Sequence, residues 1–131
     1  IDLDTVMPGL SVNDFGDSIR FGASTGAEDE KDLTKVSCDL QLYEVYVKGF
    51  IEGCGGALTE AELDMLPMGA ILMTFECGMR FLTDYLEGDH YFKIHREGHN
   101  LDRCRTQFKL VKDMEEKLSR MKEIVNKYKQ V

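Results

Sequence analysis

Apolar residues at helical spacing fill the second half of the chain and restrict what it can fold into. Between Met68 and Leu86 they recur on more than one side: Ile71, Leu72, Phe75, Met79, Leu82 and Leu86. A second stripe alternates intervals of three and four residues: Leu101, Cys104, Phe108, Val111, Met114, Leu118, Met121, Val125 and Tyr128. The two patterns predict two long helices that pack on each other, the first of them in the centre of the fold.

Shorter helices are predicted before these two, so the fold class is mainly α. We expect helices near residues 14–22, 36–52, 60–66, 68–87 and 100–128. Thr59 and Glu62 have the spacing of a capping box, Pro67 is expected to end that short helix, and Asn100 to cap the last one. Strand is limited to a vestige at residues 1–4, and residues 1–131 form one domain.

Composition excludes several classes of protein. The chain has 131 residues, 43% of them hydrophobic, which is enough for a core, and a net charge of -8, which argues against a nucleic-acid surface. No apolar run approaches the roughly twenty residues of a membrane span. The four cysteines form no C-x-x-C pair, so we expect free thiols, no zinc knuckle and a reducing, cytoplasmic setting.

Four acids crowd the start of the chain, before its first cation. Asp2, Asp4, Asp14 and Asp17 all precede Arg20, and Pro8-Gly9 makes a turn among them. Uncompensated carboxylates at a strand end suit Mg²⁺ or Mn²⁺, which prefer oxygen ligands. The alternative is an acidic strand end that faces water.

The segment Ile1-Asp2-Leu3-Asp4, followed by Pro8-Gly9 and Asp14-Phe15-Gly16-Asp17-Ser18-Ile19-Arg20, resembles the end of the active site in aminoglycoside phosphotransferase and choline kinase-like enzymes. Within them, the N-acetylhexosamine 1-kinases are the nearest likeness. The resemblance implies the helical C-terminal lobe of a protein-kinase-like fold, without its nucleotide lobe, in an enzyme that uses ATP and Mg²⁺.

The same resemblance gives roles to three of the acids. Asp2 would bind the metal, Asp4 is a second candidate on the same face, and Asp17 would open the next helix and support the catalytic loop. The phosphate-clamping Lys and the catalytic base are not found in this sequence and would lie upstream of Ile1. We therefore expect a fragment that is inactive by itself. Asp14-Phe15-Gly16 spells the protein-kinase metal motif literally, but it follows a turn and leads into a helix, which argues against that role.

Charged residues on the central helix suggest either a salt bridge or a cleft. Glu76, Arg80 and Asp84 are four residues apart and predict an ion ladder on one face. Alternatively, Arg80 points into a cleft and grips a hydroxylated or anionic ligand with its planar fork. The stretch from Phe75 to Arg105 also resembles the hexosamine kinases, which implies that Arg80 and Tyr91 contact the sugar.

Two other polar groups invite a metal interpretation that the spacing does not support. His90, His95 and His99 fall close together, but Gly98 interrupts them, so we expect surface or loop histidines and no zinc site. Residues 24–32 are predicted to be a solvated acidic loop.

The sequence leads to two candidate functions. One is a sugar kinase whose substrates are ATP and an N-acetylhexosamine, phosphorylated on its anomeric hydroxyl. The other is a non-catalytic helical module that associates through the stripe at residues 101–128, as a coiled coil or homodimer. Packing of that stripe on the chain's own helices is the favoured interpretation.

Overall fold

The computed structural model describes residues 3–129, and these form a mainly helical fold, as predicted. Its elements are α1 (Ser11–Gly22), a 3₁₀ turn (Leu33–Lys35), α2 (Leu40–Gly53), α3 (Glu60–Glu87), α4 (His99–Glu116) and α5 (Leu118–Lys129). No strand forms within residues 3–129, where the only pairing of β type is an isolated bridge between Ser24 and Cys38. Leu3 and Asp4 lie in an exposed turn closed by the Val6 N–H and the Leu3 carbonyl, so this half of the predicted strand is wrong.

The central helix is continuous where the sequence predicted a break. Pro67 lies inside α3, which runs for 28 residues from the Thr59–Glu62 capping box to Gly88. An internal proline costs about 3 kcal/mol, because it removes one backbone hydrogen bond and crowds the preceding turn. Leu63 and Leu66 before it and Ala70 after it all enter one core, and their burial outweighs that cost.

The last helix, in contrast, is divided where the sequence predicted continuity. Lys117 leaves helical geometry, and it separates α4 from α5. Its ammonium donates to the Cys38 carbonyl (2.9 Å) and to the Asp113 carboxylate (2.7 Å), which also accepts the Cys38 N–H. This anchor lets α4 follow α3 while α5 turns to pack on α2 and α3.

The first helix begins three residues earlier than predicted, at Ser11, and Asp17 therefore lies in its middle and does not open it. Its side chain is 61% exposed and pairs with Arg20 at 3.0 Å. Close packing of α1 on α3 depends on two glycines: a Cβ on Gly16 would overlap the backbone carbonyl of Gly69. No larger residue fits this crossing without a shift of backbone.

The apolar residues of α4 and α5 face inward, so their stripe is buried or half-buried in the chain itself. Buried members are Cys104, Val111, Met114, Met121 and Val125. With α1, α2 and α3, the last four of these form the main core, whereas Cys104 joins Cys77 and Phe81 in a smaller cluster at the far end of α3.

One face of α3 remains uncovered by residues 3–129. Its exposed apolar side chains are Met65, Met68, Leu72, Phe75, Met79 and Leu86. By length and composition alone this helix is apolar enough to cross a membrane, although half of its most apolar window is buried in the fold. The central helices of soluble proteins meet the same criterion.

Candidate functional site

The segment after α3 folds back against the end of that helix and forms one wall of a cleft. Helix α3 ends at Gly88, whose φ of 101° reverses the chain, and Asp89 follows with a φ of 61°. The left-handed conformation is unfavourable for residues with a Cβ, but Asp tolerates it better than most. The reversal brings Tyr91 and Phe92 alongside the last two turns of α3.

Asp84 holds this segment in place. Its carboxylate accepts the backbone N–H groups of His90 (2.9 Å), Tyr91 (2.7 Å) and Phe92 (3.0 Å). Burial of the carboxylate opposes its ionisation, but these bonds outweigh burial and lower the pKa of Asp84. The predicted ladder from Glu76 through Arg80 to Asp84 is therefore wrong at Asp84, which turns away from Arg80 because backbone donors occupy its oxygens.

Asn100 completes the anchor from helix α4. Its Nδ2 donates to Asp84 (2.7 Å) and to Asp89 (2.9 Å), and its Oδ1 accepts from Arg103 (2.9 Å). The side chain is fully buried. Asn100 does not cap α4 as predicted: the helix begins at His99, after Gly98, and no side chain caps its first turn. Its amide instead donates to the carboxylates of Asp84 and Asp89, which lie outside α4.

Arg80 lies beside the two rings of the returning segment. Its guanidinium carbon is 5.7 Å from the Tyr91 ring centroid and 5.4 Å from that of Phe92, which are cation–π distances. Glu76 is its ionic partner, with the Glu76 oxygen 3.8 Å from Nε, and this pair is the part of the ladder that forms. The terminal nitrogens make no hydrogen bond within the described part of the chain, so they are available to a ligand.

Arg80 and Tyr91 thus line one cleft, of about 330 Å³. Its lining is made by Arg80, Thr83, Asp84, Glu87, Tyr91 and Phe92. The Tyr91 side chain is 74% exposed, while its backbone N–H is held by Asp84. A cleft with exposed rings, a guanidinium, a hydroxyl and a carboxylate can bind a small polyhydroxylated molecule.

A second polar network lies behind the cleft and corrects two predictions. His99 is buried, its Nε2 is 2.8 Å from Asp29, and its Nδ1 accepts the His95 N–H at 3.1 Å. An accepting Nδ1 requires the tautomer that carries its proton on Nε2. His99 is therefore no surface or loop residue, and the acidic loop at residues 24–32 is docked onto α4 instead of being merely solvated.

Charge pairing strengthens that docking. Arg96 bonds both Asp29 (3.2 Å) and Asp102 (3.1 Å). Two hydrogen bonds lower the pKa of Asp29: the one from His99 has the larger effect and the one from Arg96 the smaller. The network fixes the far end of the returning segment, whose near end is fixed by Asp84.

Among the described acids at the start of the chain, Asp4, Asp14 and Asp17 do not line the cleft. Asp2 lies outside the described residues, Asp4 is exposed in its turn, and Asp17 pairs with Arg20. Within residues 3–129, no group of three or more His, Cys, Asp or Glu side chains is arranged to hold a metal ion.

A larger cavity, of about 460 Å³, lies between the turn after α2 and the end of α5. Its cations are already paired: Lys129 with Glu60 (2.6 Å) and Asp64 (3.0 Å), and Lys48 with Glu52 (4.0 Å).

Sequence reasoning missed the anchoring roles of Asp84 and Asn100 and the presence of Thr83 and Glu87 in the cleft. Asp84 was visible as an acid on an apolar helix, but the i, i+4 rule pointed it toward Arg80. The sequence matches no family model.

Proposed function

We propose that this chain is the sugar-binding part of an ATP-dependent small-molecule kinase, which phosphorylates the anomeric hydroxyl of an N-acetylhexosamine. The observation that carries the proposal is the pairing of Arg80 with an exposed, backbone-anchored Tyr91 in one cleft. It agrees with the roles that the resemblance implies for these two residues.

Each side chain suits part of such a ligand. The C–H face of a pyranose ring would pack on the exposed ring of Tyr91, which buries apolar area. Arg80 has terminal N–H donors free for hydroxyl or acetamido oxygens, since they make no hydrogen bond within residues 3–129 and Glu76 comes nearest to Nε, at 3.8 Å. The hydroxyl groups of Thr83 and Tyr91 supply further donors and acceptors.

The nucleotide and metal belong to the same proposal. Asp2 would hold Mg²⁺, with Asp4 as a second ligand, and Asp17 would support the catalytic loop. Carboxylate oxygens are ligands that fit Mg²⁺, and the exposed Asp4 has no ionic partner within residues 3–129. When bound, the metal would neutralise charge on the ATP phosphates. The base and phosphate clamp are proposed to come from outside this sequence, so the chain alone should transfer no phosphate.

Steady-state kinetics of the full-length enzyme that contains this sequence would test the proposal. Arg80→Lys keeps the charge but loses the planar fork, and Tyr91→Phe keeps the ring but loses one hydroxyl. A neutral hydrogen bond contributes about 1 kcal/mol, so Tyr91→Phe should raise the KM for sugar about fivefold. Arg80→Lys should raise it further, and both should leave the KM for ATP nearly unchanged.

Matched controls exist elsewhere in the chain. Arg120→Lys changes an exposed arginine on α5 that pairs with Glu123, and Tyr46→Phe removes a hydroxyl from a partly exposed tyrosine on α2. Neither should alter the KM for sugar. Normal sugar kinetics in Arg80→Lys and Tyr91→Phe, with earlier melting, would show that the pair is structural and would refute the proposed site.

The second candidate, a helical association module, is favoured by one observation. The exposed apolar residues of α3 recur at heptad spacing: Met65, Met68, Leu72, Phe75 and Met79. Because the stripe of α4 and α5 is buried or half-buried in the chain itself, the homodimer of this second candidate is proposed to form through α3. Sedimentation of the wild-type chain and of Leu72→Glu would test this. If the wild-type chain and Leu72→Glu are both monomers at concentrations of tens of micromolar, the association module is excluded.

A further inference from the structure

Two carboxylates, those of Asp84 and Glu87, line the cleft, and only Glu87 has no partner within the described part of the chain. It is the last residue of α3, and its exposed side chain lines the cleft with Arg80, Tyr91 and Phe92. Within residues 3–129 it makes no side-chain hydrogen bond and no ion pair. The other cleft carboxylate, Asp84, is occupied by three backbone donors and by Asn100.

The position of Glu87 is electrostatically unfavourable for the helix. Helix C-termini carry partial negative charge and favour cations, but the last turn of α3 contains no basic residue. Asp84 is compensated by its donors, whereas Glu87 is not. An acid that opposes the helix dipole and pairs with none of the described residues has its oxygens available to a ligand.

The charge balance of the cleft indicates what kind of ligand. Among the described residues that line the cleft, Arg80 is the single cation, and Glu76 lies 3.8 Å from it. Because Glu76 pairs with Arg80 and Glu87 lines the same cleft, a phosphate or carboxylate that approached Arg80 would also approach two like charges. Neutral hydroxyl groups meet no such repulsion, and a carboxylate accepts two hydrogen bonds from them readily.

We propose that Glu87 is the hydroxyl acceptor of this cleft and that it makes the site select neutral sugars over phosphorylated or uronic ones. The inference rests on the proposed sugar-binding function and adds a residue and a selectivity to it. A neutral sugar would place hydroxyls between Glu87 and Arg80, donating to the carboxylate and accepting from the guanidinium. The same ring would pack on Tyr91.

The test is calorimetric titration of the chain with N-acetylglucosamine and with N-acetylglucosamine 6-phosphate. We expect the wild-type chain to bind the neutral sugar at least tenfold more tightly than its phosphate. Glu87→Gln should weaken binding of the neutral sugar about tenfold, because a charge-assisted bond becomes a neutral one. Glu87→Gln should also reduce the difference in affinity between N-acetylglucosamine and its 6-phosphate, because one repelling charge is gone.

Glu116→Gln is the matched control. Glu116 is the last residue of α4, as Glu87 is of α3, and it is exposed and outside the cleft. Both substitutions remove one negative charge from a helix C-terminus, so both should leave the melting temperature unchanged or slightly raised. Only Glu87→Gln should change sugar affinity.

The outcomes separate this inference from the proposed function. If wild-type and Glu87→Gln bind N-acetylglucosamine equally, Glu87 is no acceptor, and the sugar site at Arg80 and Tyr91 stands without it. If the phosphate binds the wild-type chain as tightly as the neutral sugar, the selectivity is refuted. If the wild-type chain binds neither sugar, the inference and the sugar-binding function fail together.

Discussion

Replacing Asn100 should loosen the segment that carries Tyr91, because this amide joins two helices and the reversal between them. It donates to Asp84 and Asp89, accepts from Arg103, and is fully buried. Asn100→Ala removes these three hydrogen bonds and leaves Asp84, Asp89 and Arg103 with one partner fewer each. Bonds to charged groups contribute roughly 1.5–3 kcal/mol each, and their loss is only partly additive, so we expect about 3 kcal/mol.

That free energy converts into a melting temperature through the size of the chain. At about 2.1 cal/mol/K per residue, unfolding of 131 residues has an entropy of about 275 cal/mol/K. A loss of about 3 kcal/mol should therefore lower the melting temperature by about 11 °C. Asn126→Ala, at an exposed position in α5, should leave it unchanged or slightly raised, because alanine is the better helix former.

Asn100→Asp gives a test in which the sign depends on pH. The new carboxylate would face Asp84 and Asp89 inside the fold, so its pKa should be raised above the unfolded value of about 3.9. Because the pKa is higher in the folded state, the variant compares best with wild type in stability below about pH 4. Its stability relative to wild type falls as the pH rises. Thermal melts of both proteins from pH 4 to pH 8 should therefore diverge with rising pH. A constant difference, or a melting temperature of Asn100→Ala within about 2 °C of wild type, would refute the anchoring role.

Two further predictions concern packing and thiol chemistry. Gly16→Ala should lower the free energy of unfolding in urea by at least about 2 kcal/mol, because its Cβ would overlap the Gly69 carbonyl. Gly49→Ala, which has open space around it, should raise the free energy of unfolding by at most about 1 kcal/mol. Equal stability of the two variants would mean that α1 and α3 do not cross at these glycines. Burial raises the pKa of the Cys38 thiol to about 11, so iodoacetamide at pH 8 should modify the partly exposed Cys54 first and Cys38 only on unfolding. Mass spectrometry that found Cys38 modified as fast as Cys54 would contradict its burial.

The comparison with the sequence shows where local rules suffice. The capping box at Thr59 and Glu62 is formed, because both partners lie within one turn and depend on nothing else. The i, i+4 rule placed Glu76 beside Arg80 correctly for the same reason. It failed at Asp84, where backbone donors from residues 90–92 compete for the carboxylate and arrive only when the chain reverses.

Two of the errors in helix boundaries, at Pro67 and at Lys117, have the same origin. Pro67 is a local helix breaker, but the core on both sides of it makes a continuous helix the more stable solution. Residues 101–128 have an unbroken stripe, but contacts to Cys38, some 80 positions earlier, divide the helix at Lys117. Both outcomes depend on partners distant in sequence, which periodicity does not encode.

The sequence by itself determined the helical class, the central place of α3 and the inward face of α4 and α5, because apolar spacing fixes which side of a helix is buried. It also selected Arg80 and Tyr91, through a resemblance. Only the tertiary structure decided that these two residues meet in one cleft, that Asp84 and Asn100 hold it, and that Glu87 faces into it. Those contacts join α3, a left-handed reversal and α4, and their geometry exists only once the three have packed together.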